Sequence, residues 1–216
     1  MSKTPAVERP QRTELAARDG GERSLLLLLF FLSGVAALIY QVTWFRMLHM
    51  VFGVTGFAMA TVLSAFMAGL ALGNLVGGRI IDRRKTPLLF FACLQFGIVL
   101  FAVAFPSIVG GITAVFVQIR RVWHGRFYVF SLMRFVLVFG VLLVPTTLMG
   151  ATLPVLARHF VRRPGKLGAD VGALYSVNNW GAALGALAAG FVLMELLGVR
   201  ETSYVAAAIN LGIGLS

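Results

Sequence analysis

Residues 54–85 read VTGFAMATVLSAFMAGLALGNLVGGRIIDRRK. The stretch is predominantly apolar up to Arg79, carries Gly69, Gly73 and Gly77 four residues apart, and ends abruptly in Asp82-Arg83-Arg84-Lys85. Roughly 20 apolar residues suffice to cross the hydrocarbon core of a bilayer. Glycines at this spacing share one helix face and let a neighbouring helix approach closely. Lys and Arg in short loops are retained on the cytoplasmic side of a membrane. The stretch therefore predicts a membrane helix over 54–81, its packing face and its direction.

The rest of the composition agrees with that reading. Of 216 residues, 59% are hydrophobic and 12% charged, more apolar surface than a soluble domain of this size buries against itself. The formal charge of +11 raises the question of nucleic acid. However, the basic residues sit between apolar runs rather than among exposed aromatic residues, so no nucleic-acid partner is expected. Retention signals and anionic lipid head groups account for the balance, which makes membrane lipids the expected surroundings. Cys93 is the only cysteine and falls inside an apolar run, so a buried, inert thiol is expected, with neither internal disulfide nor cysteine metal cluster.

Outward from the opening stretch, an all-α polytopic fold with six spans is expected. Residues 1–23 mix charges of both signs with prolines and glycines and predict a disordered cytoplasmic tail. The membrane domain then covers 24–216, with spans at about 24–50, 54–81, 86–106, 127–159, 171–197 and 202–216. Segment 107–126 is expected as an amphipathic interfacial helix, because its apolar side is followed by Arg120, Arg121, His124 and Arg126. Pro145 and Pro154 are candidate kinks in the fourth span. Gly181 and Gly185 repeat the packing pattern of the second span in the fifth. The last run is short for a crossing and predicts that the chain continues beyond Ser216.

Lys and Arg fix the orientation. With the N-terminus inside, the tail (Lys3, Arg9, Arg12, Arg18, Arg23), the loop Arg79–Lys85 and the loop with Arg158, Arg162, Arg163 and Lys166 fall in the cytoplasm. Outside fall Arg46, Arg120, Arg121, Arg126 and Arg200. The excess predicts a multi-pass protein of a cytoplasmic membrane with a cytoplasmic N-terminus.

Polar residues inside the spans are the candidate functional groups. Tyr40, Gln41 and Trp44 in the first span, Arg134 in the fourth and Asn178 and Asn179 in the fifth form a candidate polar cavity. An aromatic pair beside an amide suits a cationic or amphipathic ligand. The competing reading is an aromatic belt at the interface, with Arg46 reaching head groups and the asparagines bonding neighbouring helices. An unpaired Arg134 in lipid costs about 2.5–3.5 kcal/mol on insertion scales, so an ion pair with Glu195 is expected. Asn74, Gln95 and Asn210 are expected to make helix-to-helix hydrogen bonds. His49, His124 and His159 are dispersed at span ends, so no metal site is expected.

Gly78-Arg-Ile-Ile-Asp82-Arg83-Arg-Lys85 resembles the loop between the second and third helices of major facilitator transporters, without the glycine between the arginines. A longer resemblance runs through FLSGVAALIYQVTWFRMLHMVFG, TVLSAFMAGLALGNLVGGRIIDRR, PTTLMGATLPVLARHF and LYSVNNWGAALGALAAGF. Together these are similar to the membrane half of the bacterial fused major-facilitator-like and spermidine-synthase-like proteins. The resemblance implies one half of a major facilitator fold in a bacterial inner membrane, preceding a soluble aminopropyltransferase-like domain.

Aminopropyl transfer requires a nucleotide-type site, with a Gly-rich turn after a strand, and carboxylates that hold and deprotonate a polyamine. The acidic residues beyond the tail, Asp82, Asp170, Glu195 and Glu201, are scattered over loops and helix ends, so no catalytic residue, no cofactor and no enzymatic activity are expected of these residues. Three readings follow. The first is a non-catalytic membrane domain that anchors or regulates a synthase-like partner. The second is an accessory subunit packed against other membrane helices through its glycines. The third is a half-transporter working as a homodimer on a small cationic, polyamine-like solute.

Overall fold

Backbone amides and carbonyls in lipid must be satisfied within their own segment, and each apolar run accordingly becomes a helix. The computed structural model describes residues 8–52, 56–84, 86–122, 127–160 and 167–216, with side chains placed over 21–49, 59–84, 86–118, 132–133, 135–160 and 168–216. The helices are α1 (Glu8–Phe52), α2 (Gly56–Ile81), α3 (Pro87–Val122), α4 (Phe127–Phe160) and α5 (Leu167–Ala188). A π-helical turn (Ala189–Leu193) and the short α6 (Met194–Leu197) continue α5 as one rod, and α7 (Val199–Leu215) follows. Among the described residues every regular element is helical.

Five stretches are long and apolar enough to cross a membrane: Gly21–His49, Met59–Ile81, Pro87–Gln118, Phe135–Phe160 and Gly168–Leu197. The chain is an all-helical membrane protein by this measure. α7, at 17 residues, is shorter than these.

Local chemistry sets several boundaries. Thr86 accepts the first helical bond of α3 from the Phe90 amide at 3.3 Å, and Pro87 opens the helix, where its missing N–H costs nothing. Gly198 separates α6 from α7 with φ +94°, a conformation that a side chain resists. The Thr202 amide and hydroxyl both donate to the Gly198 carbonyl, at 3.2 and 2.6 Å, which closes the first turn of the new helix.

Three expectations need correction. α1 starts at Glu8, so regular helix covers much of the segment expected to be a disordered tail. Pro10 lies in the first turn, where proline is tolerated, and Leu15, Ala16 and Ala17 favour helix. Segment 107–122 is not a separate interfacial helix, because α3 runs unbroken through Pro106. One lost hydrogen bond does not end a helix whose neighbours on both sides are apolar, since an exposed backbone in lipid costs more than a kink. Cys93 lies on the outer surface of α3 rather than in the core. An apolar run in a membrane helix is apolar on every side, and hydropathy alone does not separate the lipid face from the core face.

Packing is organised as two parallel pairs. α2 lies along α4 and α5 lies along α1. A Cβ at Gly69 would strike Thr146, one at Gly73 the Thr147 carbonyl, and one at Gly77 Ala151. On the other pair, Gly181 meets the Phe31 carbonyl, Gly185 the Val35 carbonyl and Gly34 the Asn178 carbonyl. Contacts that advance together along both helices mean that each pair runs parallel. α7 packs on α1 and α3, and α3 packs on α4, which closes the bundle behind the pairs.

One helix of each pair shares a sequence pattern with its counterpart in the other. Without gaps, GFAMATVLSAFMAGLALGNLVGGRII of α2 aligns with GADVGALYSVNNWGAALGALAAGFVL of 168–193. Ser64 falls on Ser176, Gly69 on Gly181, Ala71 on Ala183, Gly73 on Gly185 and Gly78 on Gly190. The pairing of α1 with α5 is thus the counterpart of α4 with α2, and α3 on α4 is the counterpart of α7 on α1. α2 and α5 thus carry one sequence pattern and one mode of packing, each laying its glycine face along a parallel helix.

Candidate functional site

The interior polar groups gather where α1, α3 and α7 meet. Each of these helices turns one to three polar residues into an otherwise apolar core: Ser33, Tyr40 and Trp44 from α1, Gln95 from α3, Ser203 and Asn210 from α7, all buried. Tyr40 and Trp44 stand one turn apart with ring centroids at 4.9 Å. Trp44 stacks on Phe105 at 4.6 Å and meets the edge of Phe101 at 5.7 Å, so the indole is walled in by α3. Its Nε1 donates to Ser203 Oγ at 3.3 Å, which ties α1 to α7. About three turns nearer the start of α1, Gln95 Nε2 donates to Ser33 Oγ at 3.3 Å.

Three buried atoms of this seam have no hydrogen-bond partner within bonding geometry among the described residues: the Tyr40 hydroxyl, Gln95 Oε1 and Asn210 Oδ1. Buried polar groups without a partner are rare and costly, and here three occur on three adjoining helices. Apart from the Tyr40 phenol, the seam residues are hydroxyls, amides and an indole. The arrangement suits recognition of a neutral hydrogen-bonding partner rather than proton or group transfer.

The remaining sequence-predicted residues are placed differently. Gln41 is half-buried on α1, beside Tyr40 but outside the seam. Asn178 donates through Nδ2 to the Phe30 carbonyl at 3.0 Å and lies against Gly34, within the α1–α5 interface. Asn179 is exposed, as are Arg46 and Glu195. The Arg134 side chain lies outside the described residues, and Glu195 makes no ion pair among the described residues. All five glycines marked for helix packing, Gly69, Gly73, Gly77, Gly181 and Gly185, face helices of this same chain.

A second group of polar contacts lies at the end of the bundle where α1 enters it. Arg23 pairs with Asp170 at 2.6 Å, fastening α1 to α5, and its guanidinium stands 4.7 Å over the Phe160 ring. Arg158 pairs with Asp82 at 3.4 Å, fastening α4 to α2. His159 meets Glu22 at 2.9 Å and joins one parallel pair to the other. In the loop motif, Arg83 is exposed, Gly78 faces Pro154, and Lys85 lies outside the described residues. A shallow groove beside the motif is lined by Val76, Arg79, Ile80, Arg83 and Arg84.

Sequence reasoning passed over the seam because Gln95 and Asn210 look like isolated polar residues. The available signal was in α7, where Ser203, Ala206, Ala207 and Asn210 repeat at helical spacing on one buried face. The chain matches no protein-family model, no curated protein and no solved structure.

Proposed function

We propose that this chain is a non-catalytic six-helix membrane module with the plan of one half of a major facilitator fold. It sits in a bacterial inner membrane with its N-terminus in the cytoplasm and holds or regulates a partner. The partner is either a soluble synthase-like domain, the class the resemblance implies, or other membrane helices.

The observation that carries the reading is the outer surface of α2 and α5. Opposite their glycine faces, α2 exposes Ala60, Ser64, Ala71 and Asn74, and α5 exposes Gly172, Ser176, Asn179 and Ala183. Small and polar residues are unprofitable against lipid and favourable against another helix. Their recurrence at repeat-related positions, Ser64 with Ser176 and Ala71 with Ala183, supports a docking role for both helices. It also supports a pathway or interface formed between this unit and a second one rather than within it.

Cysteine cross-linking in native membranes tests this. Ser64→Cys and Ser176→Cys, each in a Cys93→Ser background, are expected to give an adduct with a different membrane protein, identified by mass spectrometry. An adduct at twice the mass of the chain favours the homodimeric half-transporter instead. No adduct from either position, with the protein intact and folded, overturns the docking role.

A further inference from the structure

We propose that the groove at the end of α2 binds one anionic phospholipid, its phosphate held by Arg79, Arg83 and Arg84 and its acyl chains lying along Val76 and Ile80.

Spacing divides the last turns of α2 into two faces. Gly77, Gly78 and Asp82 look toward α4: a Cβ at Gly77 would strike Ala151, one at Gly78 would meet Pro154 at 3.9 Å, and the Asp82 carboxylate pairs with Arg158 at 3.4 Å. Val76, Arg79, Ile80 and Arg83 follow one another at steps of three and four on the other side. All four are exposed, Val76 by 37% and Ile80 by 38%, and with Arg84 they line a groove of about 560 Å³. That volume is in the range of small-molecule sites.

Nothing within the chain accounts for the three arginines. Among the described residues Arg79, Arg83 and Arg84 enter no ion pair, because Asp82, the carboxylate beside them in sequence, is turned to α4. The helix end needs no side-chain cap either. The amides of Asp82, Arg83 and Arg84 take the carbonyls of Gly78, Ile80 and Ile81 at 3.2, 3.1 and 3.0 Å. Nor does the shared packing pattern call for positive charge. Extending the gapless alignment puts Phe191, Glu195 and Leu196 of the α5 rod at the positions of Arg79, Arg83 and Arg84.

Depth and charge select the ligand. The apolar span ends at Ile81, so Val76 and Ile80 lie at the level of acyl chains, while the long arginine stems carry their guanidiniums up to the head groups. Guanidinium groups take phosphate oxygens through paired N–H donors. A zwitterionic lipid would bring its own cation onto a face that holds only cations, so a head group with net negative charge fits better. An acidic protein segment would match the arginines but not the apolar wall below them. The inference requires only that α2 spans a bilayer.

Native mass spectrometry of the full chain in detergent, titrated with palmitoyl-oleoyl phosphatidylglycerol, tests this. One molecule is expected to bind about tenfold or more tighter than phosphatidylcholine with the same chains. Equal affinity of the unsubstituted protein for the two lipids overturns the proposal, whatever any variant does. The pair Arg79→Gln, Arg83→Gln is expected to weaken phosphatidylglycerol binding about tenfold. The pair Arg46→Gln, Arg200→Gln removes the same charge at the opposite end of the bundle and is expected to change binding less than twofold. Equal losses from the two pairs overturn the site in favour of net charge alone. Glycerol 3-phosphate at the same concentration is expected not to compete, and competition by it overturns the lipid in favour of a free phosphate ester.

Discussion

The glycine-lined pairs and the α1–α3–α7 seam hold helices together by opposite means. Along α2–α4 and α1–α5, glycine faces bring backbone against backbone, and the adhesion comes from van der Waals contact over a close-fitting surface. Along the seam Trp44, Tyr40, Phe101 and Phe105 fill the space between helices, and polar groups join them. Lipid tails offer no hydrophobic reward for leaving water, so a membrane bundle has these two resources and this chain uses each in a different place. The first tolerates no added atom, whereas the second depends on both its ring packing and its polar partners.

Substitutions separate the two. The largest effect is expected from Gly73→Leu or Gly185→Leu, whose Cβ would enter the carbonyl of Thr147 or Val35. A loss of about 4 kcal/mol or more is expected, seen as failure to recover monodisperse protein from detergent. Trp44→Ala empties the best-packed position of the seam, for about 3 kcal/mol. Trp44→Phe keeps a ring but removes the bond to Ser203, for about 1 kcal/mol, and reversible unfolding in mixed micelles resolves the two. Arg23→Ala leaves the nearly buried Asp170 carboxylate without its cation. With Arg23 half in solvent, a cost of about 1–2 kcal/mol is expected by the same measurement. Asp82→Asn is expected to shift stability by less than about 0.5 kcal/mol, since both partners of that pair are well exposed. A Gly73→Leu protein as stable as the parent would show that the close pairing of α2 and α4 is not what holds the bundle.

What was legible in the sequence follows from what periodicity encodes. Four-residue glycine spacing marked the packing faces of α2 and α5, and the apolar runs marked the helices. The partners of those faces were not readable, because α1 and α4 present carbonyls of Phe31, Val35 and Thr147, which any residue type supplies. The continuation of α3 past Pro106 was hidden because a proline punctuates a helix in water more strongly than in lipid. Trp44 and Tyr40 were singled out correctly as a pair, yet their sequence neighbours gave no means of telling an interior wall from an interfacial belt. Seam membership depends on Phe101, Phe105 and Ser203, which lie far along the chain.

The parallel pairing also sets a timetable. Two helices that run the same way cannot be neighbours in the chain, so α2 must wait for α4, and α1 must wait until α5 has been synthesised. In the interval α1 sits in lipid without its main partner. It is equipped for that wait, with a mean hydropathy of 2.4 over its best window against 1.7 for α5. The later helix, less able to settle in lipid alone, arrives when a surface is ready to receive it. Biogenesis of this bundle is thus expected to stall, rather than merely weaken, in chains ending before Gly181.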